Sequence, residues 1–93
     1  MRLISKIDRY LEDKNYEIII KEKKVDIINF SEIIDFSSNN ITLKCDNKII
    51  NVEGKNLIIA KMLDYELLIT GIIYNVRINW LWEYANIMLH KII

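Results

Sequence analysis

The sequence predicts a mainly β fold, either a small antiparallel sheet or a two-layer β domain, flanked by short N- and C-terminal helices. Three observations lead there. Between Tyr16 and Ile78 the chain breaks into short apolar runs, among them "YEIII", "VDIINF", "NITLKC", "KIINVE", "NLIIAKML" and "GIIYNVRI", separated by residues rich in Lys, Asn, Asp, Ser or Gly. Twenty-one of the 93 residues are Ile, a side chain that suits a pleated, half-buried surface. Apolar residues at the three- and four-residue spacing of a helix open the chain, at Leu3, Ile4, Ile7, Tyr10 and Leu11, and the grain changes to short β-rich runs from Tyr16. A short β-solenoid-like unit is the alternative arrangement of the same runs. One domain of 93 residues divides into an N-terminal amphipathic helix at 1–14, a β domain at 16–78 and an aromatic-rich helix at 79–93.

In the first segment Leu3, Ile4, Ile7, Tyr10 and Leu11 share one helical face, and Asn15 suits the stop because it tolerates left-handed backbone. The firmest register is in "NITLKC-DN-KIINVE". A two-residue loop at Asp46 and Asn47 sets Leu43 opposite Ile50 and Ile41 opposite Val52, on one face with Cys45; Thr42, Lys44 and Asn51 point the other way. A one-residue slip would bury Lys44. A second hairpin turns at Asp64 and Tyr65, with Ala60 expected opposite Ile69 and with both faces apolar enough to need cover from the terminal helices. The last segment, "NWLWEYANIMLHKII", carries Glu83, Asn86 and His90 as one polar stripe on an otherwise apolar helix. Its wide face must meet the chain's own sheet, a protein partner or a membrane surface. Trp80, Trp82, Tyr84, Ile87 and Met88 are the candidate contact residues, because Trp and Tyr favour interfaces of both kinds.

Thirteen basic and thirteen acidic residues leave a formal net charge of zero, so no global field draws the chain to nucleic acid. The best local candidate, "KEKK" at 21–24, is interrupted by Glu22 and reads as a solvated turn. An oligonucleotide-binding barrel or other small ligand-binding β domain is the rival reading. It would want exposed aromatics for stacking, whereas Phe30 and Phe36 sit in Ile-rich runs that read as core. Glu22, Glu32, Asp35, Glu53, Asp64 and Glu66 are scattered over turns and strand edges, where a solvated charge is the default and general acid–base work has no cluster to build on. His90 and Cys45 do not make a metal-ligand pattern, and neither glycine lies in a phosphate loop. Cys45, the single cysteine, reads as a small buried hydrophobe in a reducing compartment. No catalytic, cofactor or metal residues are expected. The N-terminus lacks the apolar core of a secretory signal, and no stretch reaches the length of a membrane span, so the expected location is cytoplasmic.

The stretch "VEGKNLIIAKMLDYELLITGIIYNV" resembles the YabP/YqfC family of sporulation proteins, the YqfC type more closely. Family members share a hydrophobic strand, a Gly, an L-x-I strand, a short acidic turn and a second apolar strand closing on Gly and Ile. Here these are Val52, Gly54, Leu57 with Ile59, Asp64 with Glu66, Leu68, Gly71 and Ile73. The upstream "VDIINFSEIIDFSSNNITLKCDNKIINVEG" fits the same pattern, so the likeness covers residues 16–78. Relatives usually have a Gly where this chain has Asp46 and Asn47, and the aromatic C-terminal segment is outside the shared pattern. The resemblance implies a non-enzymatic assembly or scaffold protein of the mother cell, at the forespore outer membrane or in spore coat or cortex assembly. Its implied partner is a membrane-associated sporulation protein of the YqfD or YabQ type, with self-association and peripheral membrane contact as further expectations.

Overall fold

The computed structural model describes residues 15–92, and within the last helix the backbone but not the side chains of Ile87, Met88, His90, Lys91 and Ile92. Six strands form one antiparallel sheet: β1 (Glu17–Lys21), β2 (Lys24–Ile28), β3 (Glu32–Phe36), β4 (Asn40–Cys45), β5 (Lys48–Met62) and β6 (Glu66–Trp80). A single described helix, α1 (Leu81–Ile92), follows β6 directly. The order across the sheet is β1-β2-β6-β5-β4-β3, every neighbouring pair antiparallel, which is an open sheet and not a solenoid. The expected N-terminal helix falls outside the described residues.

The frame is the β5–β6 hairpin, two strands of fifteen residues each. The sequence breaks each of them into two runs at its glycine, where a tight turn or a bulge is expected. The backbone instead runs through, and the glycines mark a bend. Near the open end, Asn40–Cys45 of β4 pairs with Lys48–Glu53 of β5. Near the closed end, β2 pairs with Glu66–Thr70 of β6. Two lateral hairpins therefore extend opposite sides of the central one, staggered along its length. The break lies between them, where register shifts fall at Glu53/Gly54 and Lys55/Ile58; a third, at Ile59/Lys61, lies beside the stretch of β6 that pairs with β2. Each shift is an extra residue that bends the strand and adds twist.

Coiling of the sheet about these bulges gathers one buried cluster on a single face. Val25 and Ile27 come from β2, Leu67 and Ile69 from β6, Ile41, Leu43 and Cys45 from β4, and Ile50, Val52 and Leu57 from β5. The expected β4–β5 register is the observed one: Leu43 faces Ile50, Ile41 faces Val52, and Asp46 takes the left-handed φ of 56° that the tight turn requires. The second hairpin turns at 63–65 as expected, closed by the Leu63 amide donating to the Glu66 carbonyl at 2.8 Å. Its register differs by one residue. Ile59, not Ala60, lies opposite Ile69, and Ala60 is the bulged residue between Ile59 and Lys61. The bulge decides which side chains turn inward: Ile59 packs on the core, while Ile58 is 60% exposed. Phe36, expected in the core, is 57% exposed on the outermost strand, whereas Phe30 does pack against the core.

Candidate contact surface

The signature residues Gly54, Leu57, Ile59, Gly71 and Ile73 are brought together at the bend. Gly54 lies opposite Ile73, and the Asn56–Leu57 bulge stands opposite Gly71. Gly71 has φ 135°, a backbone state that L side chains rarely adopt, and a Cβ there would sit 2.7 Å from the Asn56 carbonyl oxygen. At Gly54 a Cβ would overlap the Ile72 carbonyl oxygen and lie 2.8 Å from Leu57 Cδ2. Both glycines also receive the tip of a lateral hairpin. The Gly54 amide donates to Asn39 O (3.0 Å) and the Leu57 amide to Ser38 O (2.8 Å), while the Gly71 amide donates to Lys23 O (3.2 Å). The two glycines thus serve close backbone approach between three hairpins.

Beside Gly71 the β1–β2 turn forms an open groove of about 640 Å³ with Thr70 and Ile72, lined by Lys21, Glu22, Lys23 and Lys24. The "KEKK" segment is a solvated turn, as its composition indicates: all four side chains are exposed.

The face of the sheet opposite the core carries polar pairs that sequence reading did not anticipate. Asn51 Nδ2 donates to Asn40 Oδ1 (2.6 Å) and Thr42 Oγ1 (2.7 Å), which satisfies the buried Thr42. Glu53 Oε1 accepts from Asn75 Nδ2 (3.0 Å) and Arg77 Nη2 (3.1 Å). Near the closed end Asp26 stands beside Glu66, which itself pairs with Lys61 at 3.4 Å. Burial raises the Asp26 pKa above its usual value, helped by a hydrogen bond to Glu66 and by that group's negative charge, and opposed by Lys61 and Lys21. Asp26 Oδ1 is buried without a hydrogen-bond partner. Asp26 occupies an ordinary polar position in "VDII", and its meeting with Glu66 depends on β2–β6 pairing that sequence spacing does not reveal.

At the open end Lys48 Nζ lies 4.3 Å from the centroid of the Trp80 ring and 5.7 Å from that of Tyr16, and 3.5 Å from the Tyr16 hydroxyl. Trp80 is therefore a strand residue anchored by a cation–π contact and not, as expected, part of the helix. Its amide donates to Glu83 Oε1 at 3.0 Å, the reciprocal bond of a capping box, and the Leu81 amide donates to Asn47 O at 2.9 Å. These bonds fix the first turn of α1 against the ends of β5 and β6. Trp82 projects from that fixed turn with 63% exposure, flanked by the exposed Leu81 and, two turns on, Leu89; Tyr84 is half-buried. Of the five candidate contact residues, Trp80, Trp82 and Tyr84 are placed at this end of the molecule, and the side chains of Ile87 and Met88 fall outside those described.

Among the described residues no helix is long and apolar enough to cross a membrane. No protein family, no curated protein and no solved structure matches the chain.

Proposed function

We propose that this protein is a non-enzymatic assembly component of the bacterial spore, made in the mother cell and recruited by a membrane-associated sporulation protein of the YqfD or YabQ type. The observation that carries the contact role is Trp82: a large aromatic side chain, mostly exposed, on a helix turn held by the Trp80 amide donating to the Glu83 carboxylate and the Leu81 amide donating to the Asn47 carbonyl. Rigid presentation lowers the ordering cost of docking, and exposed Trp is the residue type that most often dominates an interface. The sporulation setting draws on the likeness of residues 16–78 to the YabP/YqfC pattern. The glycines of that pattern make the backbone contacts that hold the three hairpins together, which is the reason such a pattern would persist as a unit.

The test is co-expression of the full chain with candidate membrane proteins of both types, followed by affinity capture from detergent extracts. Retention by one of them, reduced at least tenfold by Trp82→Ser, is the expected result. Equal retention by protein-free vesicles would point to lipid as the contact, and retention unaffected by Trp82→Ser would remove α1 from the interface.

A further inference from the structure

We propose that β1 is a dimerisation edge, through which two copies of the chain pair their Glu17–Lys21 strands antiparallel about Ile19 and join their sheets into one. This goes beyond the contact role above by naming a second copy as a partner, and it uses none of the α1 surface.

Four stretches have a strand on only one side among the described residues: β1, β3, β5 beyond Ile58 and β6 beyond Ile72. Three are interrupted in ways that commonly protect an edge. In β3 the register slips between Ile33 and Asp35. The free part of β5 carries the Ala60 bulge, and that of β6 slips between Ile73 and Asn75 before running into α1. Only β1 keeps an unbroken register with its neighbour from end to end, Glu17 with Ile28 through Lys21 with Lys24.

The sequence of that edge, Glu-Ile-Ile-Ile-Lys, is self-complementary in one orientation. Antiparallel pairing about Ile19 puts Glu17 opposite Lys21 of the second copy at both ends of the seam, and cross-strand pairs of opposite charge are stabilising. Parallel pairing would set Glu17 against Glu17 and Lys21 against Lys21. A slip of one residue would exchange the faces. The apolar residues agree with the same register. Ile18 and Ile20 lie opposite the core residues Ile27 and Val25 of β2, so on the core side Ile18 of each copy meets Ile20 of the other. Ile20 is 58% exposed and Ile19 is 39% exposed, and the seam would cover both. In either alternating hydrogen-bond phase a two-fold axis at Ile19 is allowed, because the centre can be a hydrogen-bonded or a non-hydrogen-bonded pair.

Sedimentation equilibrium of the full chain, from micromolar to near-millimolar concentration, tests this. The expected result is a reversible dimer that Glu17→Lys or Lys21→Glu weakens about tenfold, with the double reversal restoring wild-type affinity to within about threefold. Both side chains are exposed, and Glu17→Lys should melt as the wild type does; Lys21→Glu also reverses a charge that acts on Asp26, so its dimer affinity is compared at a temperature where both proteins are fully folded. A chain that stays monomeric throughout, or a dimer indifferent to the charge reversals, would overturn the proposal. Weakening without rescue would overturn the register about Ile19. A dimer lost on Trp82→Ser but not on reversal would assign self-association to α1, leaving the contact role intact. Conversely, the reversal pattern can hold while no membrane protein retains the chain, and then only the recruitment reading falls.

Discussion

At the scale of single residues, four positions make different demands on their surroundings. Gly54 and Gly71 are occupied by glycine because backbone carbonyls fill the space a Cβ would take, and Gly71 adds a positive φ. A carbonyl in a paired strand cannot move aside as a side-chain tip can. Gly54→Val and Gly71→Val should therefore each cost roughly 2 kcal/mol or more in urea denaturation, and an unchanged midpoint for either would show that the bend tolerates a side chain. Asp26 is the reverse case, a group the fold tolerates at a cost. Its pKa is raised by burial and by Glu66, so the folded state binds that proton more tightly than the unfolded chain does. The stability linked to that proton is fully present below the unfolded pKa of about 3.9 and is lost as pH rises through the higher folded value. At neutral pH the charged form is a burden, and Asp26→Asn should raise the urea midpoint, with a gain that shrinks as pH is lowered. A variant less stable than wild type at pH 7 would mean that Lys61 and Lys21 outweigh burial. Cys45 obeys the same sign with a different window. Burial pushes its thiol up to about 11, so the contribution is whole below about 9 and disappears between 9 and 11. Native protein should resist thiol alkylation at pH 8 and react at once in denaturant; equal rates would show that the core opens locally at β4.

Elements differ in how far sequence betrays them, and the reason is whether their polarity alternates. The β4–β5 hairpin is legible to the residue because Thr42, Lys44 and Asn51 are polar where Ile41, Leu43 and Val52 are apolar, and only one register keeps Lys44 out of the core. The strand around Ala60 has no such alternation. With Leu57, Ile58, Ile59 and Ala60 all apolar, nothing local says which residue bulges, and the one-residue error in that pairing follows. Continuity of β5 and β6 through their glycines was equally hidden, because it depends on hairpin tips distant in sequence bonding at Gly54 and Gly71. The candidate contact surface divides along the same line. An amphipathic C-terminal helix is visible from spacing, whereas the assignment of Trp80 to β6 depends on Lys48 and Tyr16. The capping bond gives a further test at this scale. Removing the Glu83 side chain with Glu83→Ala should destabilise the first turn by about 0.5–1 kcal/mol and hasten hydrogen exchange at the Trp80 amide, while Glu83→Gln keeps the acceptor and most of the protection. Equal exchange in both variants would locate the anchor of α1 at Leu81 and Asn47 instead.

For the whole molecule the decisive fact is that β5 and β6 belong to both ends of the sheet. β2 and β1 depend on the first part of β6, β4 and β3 depend on the first part of β5, and the two wings share one buried cluster. Neither wing can be released without exposing side chains that the other covers. The carbonyl of Lys23 and those of Ser38 and Asn39 further tie each hairpin tip to a glycine of the central pair, so loss of a wing also orphans backbone amides at the bend. Unfolding is therefore expected to be a single cooperative transition in spite of the staggered layout. Tryptophan fluorescence reports the open end through Trp80, and hydrogen exchange at Val25 and Ile27 reports the closed end. Val25→Ala removes two methyl groups from β2 and should lower the urea midpoint seen by tryptophan fluorescence by the same amount as that seen by far-ultraviolet circular dichroism, with a cost of about 1–3 kcal/mol. A fluorescence midpoint that stays at the wild-type value while the dichroism midpoint falls would divide the sheet into two independent units, and the glycine bend would then be a hinge between them instead of the joint that makes them one.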